Sequence, residues 1–379
     1  MEPLLTDLFH KGLKYWQIQY ILKIDFNFSI SLRHLKRLLK DLGLQRRNFS
    51  DIDTVITFIQ NELNESGQLH GYRMMSQRCR ENGLSVRLND VRVILRNLDP
   101  EGVFLRTSRC LRRRAYFASG PNFIWHIDGY DKLKPFGICI SGCICGFSRK
   151  MIWLNAYNTN NNPRIIGGYY LEAVKQYGGC PRFVRADYGT ENGHVKNFQT
   201  FFMRHLQGGE RSYMDGTSSA NQRIERWWSY LRRQHLHIWI EAFRELLDNG
   251  NFSGNFIDKN LIQFCFTAII QNELDLSIRM WNNHNIRCSS NPRVPHGRPN
   301  NMYNFPTLWN TDNKITEVTD DDWRACSTEA EFRSLIPCDV DLYEVCLEIM
   351  KEHRMTPAST FREATDLYIF LRGEIMSLL

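Results

Sequence analysis

The chain has 379 residues, 42% of them hydrophobic, which is enough for two or three domains with ordinary cores and argues against wholesale disorder. No apolar run approaches the ~18 residues of a membrane span, and the N-terminus lacks the basic, apolar, small-residue order of a signal peptide, so an intracellular protein with no membrane partner is expected. The net charge of +7 is unevenly spread. Residues 1–120 carry 20 Lys+Arg against 12 Asp+Glu, residues 121–300 carry 21 against 14, and residues 301–379 carry 7 against 15. The first 300 residues therefore suit a polyanion such as DNA, and the last 79 suit protein contacts, with self-association among them. The 11 cysteines form no Cys-x-x-Cys pair; reduced, mostly buried thiols are expected, with Cys143 and Cys145 on one face of a strand.

Leu4–His10 reads as a short helix stopped near Gly12, and Tyr15–Lys23 as a second. Ser31 caps a third, Leu32–Leu42, with Leu35, Leu38, Leu39 and Leu42 on one face and Arg33, Lys36, Arg37 and Lys40 on the other. A basic helix after a short turn is what entry into a DNA major groove requires. A similar unit follows: Ser50 or Asp51 caps Ile52–Asn64, Gly71–Asn82 is helical, and Asn89 or Asp90 opens Val91–Leu98, stopped by Pro100. Leu105–Ser119, with five arginines, reads as a basic linker that tracks phosphates, serves nuclear import, or is merely soluble.

A run of alternating β-type and helical patterns begins at Pro121. Strands are expected at Ile124–Lys132, Phe136–Cys145 and Met151–Tyr157. A helix follows at Pro163–Tyr177, closed by Gly178-Gly179. Then come a strand at Arg182–Ala186, a helix at His194–Leu206 with Val195, Phe198, Phe201 and Phe202 inward, and a strand at Arg211–Met214. Ser218 or Ser219 should cap a helix over Ser219–Arg233. Asp258–Asn283 reads as two helical stretches, Asn291–Asn300 as an extended basic segment, and the rest as acidic helices including Val340–Glu352 and Thr360–Leu379.

Three carboxylates stand out. Asp128 sits in the apolar strand Phe-Ile-Trp-His-Ile-Asp-Gly, where an unpaired charge is unfavourable. Asp187 ends Arg-Phe-Val-Arg-Ala-Asp and precedes the loop Tyr188–Gly193. Glu225 lies in the helix, with Asn221, Trp228 and Arg232 near its face at spacings of four, three and seven. The separations are 59 and 38 positions. This order, with Trp125-His-Ile-Asp128, Asp187-Tyr-Gly-Thr-Glu-Asn192 and Asn221-Gln-Arg-Ile-Glu225, resembles the D,D,E core of the retroviral integrase and DDE transposase superfamily, as carried by transposon-derived genes. The helix with Arg92 and Arg96 and the Gly71-Tyr-Arg opening resemble the bipartite helix-turn-helix region ahead of many transposase cores.

The resemblance implies an α/β fold class: an RNase H-like integrase catalytic core preceded by an all-α helix-turn-helix region and followed by a helical tail. The implied organisation is helix-turn-helix 1–48, a second such region 49–104, linker 105–120, core 121–250, helical extension and basic segment 251–300, and acidic helical region 301–379. It implies catalysis by Asp128, Asp187 and Glu225 through Mg²⁺ or Mn²⁺, since two hard cations roughly 4 Å apart can activate an oxygen nucleophile and stabilise the leaving oxygen. DNA is the implied partner, contacted by Arg33, Lys36, Arg37, Lys40 and Arg232, with a homo-oligomer and nuclear location expected. His126 shares a face with Asp128 and is expected as a hydrogen-bonded structural histidine; Glu191 is left outside the ligand set. The tail departs from the basic β-barrel of retroviral integrases, and no N-terminal His-His-Cys-Cys zinc pattern is present, so DNA handling by those modules is not implied. Two other functions remain: a domesticated DNA-binding or assembly protein without catalysis, and a nuclease on RNA–DNA hybrids, against which the helix-turn-helix units argue.

Overall fold

A computed structural model describes residues 2–45, 49–65, 67, 70–107, 116–217, 220–289 and 294–378. They form two compact units, Met1–Pro121 with Met280–Asn313, and Asn122–Arg279 with Lys314–Leu379. The segments 251–300 and 301–379 are thus each divided between the units.

In the first unit, α1 (Glu2–His10), α2 (Tyr15–Ile24) and α3 (Leu32–Asp41) pack around Leu5, Leu8, Ile18, Ile21, Leu35 and Leu39. The chain turns after α1 at Gly12, whose φ of +69° a glycine adopts without strain. Ser31 caps α3, its hydroxyl accepting from the His34 N–H at 3.2 Å. Leu35 and Leu39 face inward, and Arg33, Lys36, Arg37 and Lys40 are exposed, as the amphipathic spacing requires.

A second three-helix cluster, α4 (Ile52–Leu63), α5 (Tyr72–Glu81) and α6 (Leu88–Leu98), closes on Val55, Ile59, Met75, Cys79, Val91 and Leu95. Asp51, not Ser50, caps α4 through the Asp53 and Thr54 N–H groups. The start of α6 differs from expectation: it follows Arg87, so Asn89 and Asp90 lie inside its first turn rather than capping it. Pro100 also does more than stop a helix. It opens α7 (Pro100–Thr107), where its missing N–H has no helical partner to lose. The expected linker thus begins helical, and residues 108–115 lie outside the described residues. The returning segment 280–313 joins this unit. Arg298 donates to the Lys11 carbonyl at 3.2 Å, and Phe305 and Leu308 pack against the first cluster. Of the expected extended segment, residues 291–293 lie outside the described residues, and its last two residues begin α13 (Pro299–Asn304).

The second unit is built on a five-stranded sheet, β1 (Ile124–Tyr130), β2 (Cys139–Cys145), β3 (Met151–Tyr157), β4 (Phe183–Asp187) and β5 (Tyr213–Gly216), in the order β3-β2-β1-β4-β5. The first three strands are antiparallel and the last two run parallel to β1, which is the RNase H-like arrangement. The start expected for the second strand is instead a tight 3₁₀ turn at Lys134–Phe136. Helix α8 (Pro163–Tyr177) matches its expected span; Asn162 caps it and Gly178 (φ +75°) closes it. Alternation divides β1. Trp125 turns towards α8, edge-on to Tyr170 and Tyr177, while His126 and Asp128 face α10 (Gln222–Leu231).

Helix α9 (Gly193–Phe202) buries Val195, Phe198 and Phe202. Phe201, expected inward, is 36% exposed, with the Arg204 guanidinium 3.9 Å from its ring centre. After α10 the helix passes through a π-helical turn at Arg232–Leu236 into α11 (His237–Asp248), and α12 (Phe256–Asn283) is one continuous helix, not two. Gln271 of α12 pairs with the backbone of β3, accepting from Ala156 N–H and donating to the Leu154 carbonyl, so that edge strand does not offer its full hydrogen-bonding row.

The acidic region packs within this unit as α14 (Asp320–Ser327), α15 (Val340–Glu352) and α16 (Phe361–Leu378). Trp323 donates to the Leu171 carbonyl at 2.8 Å, Tyr368 to the Asn251 carbonyl at 2.7 Å, and Arg372 pairs with buried Asp258 at 2.7 Å. Its apolar face, including Cys346, Leu367, Tyr368 and Leu371, is buried against its own chain. All described cysteines are free thiols, and all but Cys288 are buried. Among the described residues no helix is long and apolar enough to cross a membrane.

Candidate active site

The parallel pairing of β1 with β4 sets Ile124 opposite Phe183 and His126 opposite Arg185. That offset equals the separation of Asp128 from Asp187, so two residues past the last pair these carboxylates occupy the same level of adjacent strands. Across the other edge of β1, Asp128 stands opposite Gly142 of β2.

Glu225 comes from α10, whose position is fixed by Asn221. The Asn221 side chain is fully buried; its amide donates to the Ile127 carbonyl at 2.8 Å, and its oxygen lies 2.7 Å from His126 Nδ1. With the amide committed to Ile127, His126 must be the donor, so the proton sits on Nδ1. Burial drives the His126 pKa down to about 3, against the pull of that hydrogen bond. His126 is therefore a neutral structural group, as expected of it. Ser218 and Ser219, the expected caps, lie outside the described residues; Asn221 occupies the N-cap position without a side-chain capping bond. Its side chain is used to clamp the helix to β1.

Farther along α10, Trp228 Nε1 donates to Asp128 Oδ2 at 2.7 Å. The indole can reach it because residue 142 is glycine: a Cβ there would lie 2.7 Å from the Trp228 ring. Burial pushes the Asp128 carboxyl up to about 7; the Trp228 bond opposes this, and the charges of Asp187 and Glu225 add to it. Burial and Asp187 raise the Glu225 carboxyl as well. The three acids are thus close enough to repel one another.

A polar cleft opens beside Asp128 and Asp187, lined also by Asp131, Asn160, Glu191 and Asn192. Glu225 does not line it. Glu191 does, its carboxylate folded back over Gly189 and accepting from Asn192 at 3.2 Å. Asn160, from the polar stretch between β3 and α8, lines the same cleft. It is buried, donates to Asp131 at 2.6 Å, and has a buried Oδ1 with no hydrogen-bond partner. Gly129 allows this approach, since a Cβ there would lie 2.7 Å from the Asn160 amide. The only sequence signal was the Asn160-Asn161-Asn162 run.

The donor chemistry fits a hard divalent cation. Asp187 Oδ1 is buried with no hydrogen-bond partner, and the charges of Asp187 and Glu225 add to the burial that raises the Asp128 carboxyl, so a cation there would relieve both. Among the described residues, however, no three His, Cys, Asp or Glu side chains already stand grouped as metal ligands. Of the basic residues, Arg33, Lys36, Arg37 and Lys40 are together on α3 of the first unit. Arg232 is exposed at the end of α10 in the second, where its charge acts on the Tyr130 hydroxyl.

The five-stranded sheet, three antiparallel strands followed by two parallel to β1 with helices between them, defines an RNase H-like core. A family model described as an integrase core domain matches residues 115–316, and the chain belongs to that family. No curated protein matches it.

Proposed function

We propose that the chain is a DDE-type polynucleotidyl transferase, an integrase- or transposase-like enzyme that cleaves DNA strands and joins them, with Asp128, Asp187 and Glu225 as its triad. The observation that carries this reading is the placement of Asp128 and Asp187 at one level of adjacent parallel strands, with Glu225 on a helix that Asn221 clamps to the first of them. Mg²⁺ or Mn²⁺, bound there, supplies activation of an oxygen nucleophile and neutralisation of phosphate charge. Asp128 and Asp187 would hold it from the sheet and Glu225 from α10. Trp228 orients the Asp128 carboxylate through its N–H, and the cleft wall at Asn160 gives the scissile strand a polar surface. The four cations on α3 would hold duplex DNA through its phosphates, with Arg232 adding a contact beside the core. Nuclear location and a homo-oligomeric working form belong to the same proposal.

The test is metal-dependent nicking and joining on a duplex panel that includes candidate transposon ends. Asp128→Asn, Asp187→Asn and Glu225→Gln should each lower the rate by several orders of magnitude, non-additively, because the three act as one unit. Glu191→Gln should lower it far less.

A second reading, DNA binding or assembly without catalysis, is favoured by one observation: the acids do not stand grouped as ligands among the described residues, and Glu225 is off the cleft. Duplex binding without any metal-dependent cleavage would select it.

A further inference from the structure

The two three-helix clusters of the first unit present their third helices in the same way and with different chemistry. On α3 the exposed stripe at spacing i, i+3, i+4, i+7 is Arg33, Lys36, Arg37 and Lys40. On α6 the equivalent stripe, also exposed at every position, is Asn89, Arg92, Val93 and Arg96. Behind each stripe the helix is anchored by buried residues, Leu35 and Leu39 in one, Val91, Ile94 and Leu95 in the other. Neither face is needed for packing.

We infer that the two helices divide the recognition of DNA: α3 grips the phosphates of any duplex, and α6 reads base edges in the major groove. The α3 stripe is four cations, two of them lysines. A lysine is a flexible point charge without a planar fork, suited to phosphate and poor at telling bases apart. The α6 stripe holds the side chains that match base edges: Arg, which pairs in bidentate fashion with guanine; Asn, which does so with adenine; and a branched apolar group for the thymine methyl. Val93 is 48% exposed between the two arginines, where a phosphate-binding surface gains nothing from it. Arg92 is also held in place, its guanidinium 6.0 Å from the Tyr72 ring centre, a ring that Arg73 approaches at 5.1 Å. A guanidinium already ordered on an aromatic face loses less freedom on forming a bidentate contact.

The inference rests on the proposed DNA function, but its test does not need catalysis. The full-length protein is used to select sites from a random-sequence duplex pool in EDTA, with Asp128→Asn as the catalytically dead control. Wild type and Asp128→Asn should enrich the same short motif. Asn89→Ala, Arg92→Lys and Arg96→Ala should each relax one position, losing about 10-fold in preference over the wrong base, while affinity for mixed-sequence DNA changes little. The Arg33/Lys36/Arg37/Lys40→Ala variant should keep the motif, bind all sequences more weakly, and flatten the salt slope by up to about four units. Unchanged melting temperatures confirm that these surface variants fold. The inference is overturned if wild type enriches no motif, if the α6 variants enrich the original motif unaltered, or if the motif disappears with the α3 charges. Motif selection by a protein that never cuts DNA would sink the catalytic reading and leave this one standing.

Discussion

The indole N–H of Trp228 donates to Asp128 Oδ2 over 2.7 Å, and Gly142, the cross-strand partner of Asp128, is what lets the ring approach. A residue on α10 thereby holds a carboxylate on β1 through a gap in β2. Such a bond to a charged group contributes about 1.5–3 kcal/mol.

Gly142→Ala and Trp228→Phe should therefore damage the same function. The added methyl displaces the ring; the phenyl lacks the donor. Each should slow metal-dependent cleavage by about 10-fold or more, and the double variant should be little worse than either single one, since residues in contact are non-additive. Nicking rates for the four proteins of the cycle decide it. Fully multiplicative effects would show that Gly142 does not act through Trp228.

Asn221 is the second point of control. Replacing it with Ala leaves the buried His126 Nδ1–H without its acceptor and removes the bond to the Ile127 carbonyl. At about 1–3 kcal/mol per unsatisfied buried group, Asn221→Ala should lower stability by about 2–4 kcal/mol in urea unfolding. Because α10 then loses its registration on β1, cleavage should fall further than unfolding accounts for at temperatures where the variant is folded, while duplex binding persists. A variant as stable and as active as wild type would show that the clamp is dispensable.

Much of this was legible in the sequence because it is written locally. The span of β3, the Pro163 start and glycine close of α8, the Ser31 cap of α3 and the amphipathic stripe of α3 each depend on residues within a turn or two. Asp128 and Asp187 were legible for the same reason: an acid in an apolar strand and an acid at a strand end. What could not be read was set by distant chain. Nothing near Gly142 shows that a tryptophan 86 positions away needs the space of its side chain. Nothing in residues 280–313 shows that they return to the first unit rather than extend the second. Asn221 was placed near the Glu225 face, but its use as a clamp depends on His126, 95 positions upstream. The acidic tail suits protein contacts by its charge, but charge does not show that Cys346, Leu367, Tyr368 and Leu371 pack against its own chain while Val340, Leu347 and Ile369 stay exposed.

Burial, with the charges of Asp187 and Glu225 adding to it, disfavours the ionised Asp128 carboxyl, and two consequences of a cation binding beside it can be measured. Mg²⁺ or Mn²⁺ should raise the thermal midpoint of wild type in a concentration-dependent way, as any ligand of the folded state does, and should fail to do so for Asp187→Asn or Glu225→Gln. Asp128→Asn, which keeps an acceptor for Trp228 and removes a buried charge, should raise cation-free stability by about 1–2 kcal/mol while abolishing cleavage, the trade expected at a strained functional site. Equal midpoints with and without the cations, or a strongly destabilised Asp128→Asn, would contradict this account of the site.

Asp258 and Arg372 join the last helix to α12, with the Asp258 side chain fully buried and that of Arg372 22% exposed. Burial alone would raise the Asp258 carboxyl, but the Arg372 guanidinium and the Ser253 backbone and hydroxyl bond to it and hold it below its ordinary 3.8. The unfolded chain therefore takes up this proton first on acidification. The pair's contribution is fully present above the ordinary carboxylate range and is lost as the pH falls through the lower, folded-state value. Arg372→Leu leaves a buried carboxylate with only its Ser253 partners and should cost about 2–4 kcal/mol at pH 7. The gap between wild type and variant should narrow steadily below about pH 4, because protonation removes the charge that Arg372 neutralises. Urea unfolding of both proteins from pH 7 to pH 3 checks this. A gap that stays constant across that range would mean that Arg372 supports α16 through its packing, and that the ion pair with Asp258 contributes nothing to holding the acidic region on the core.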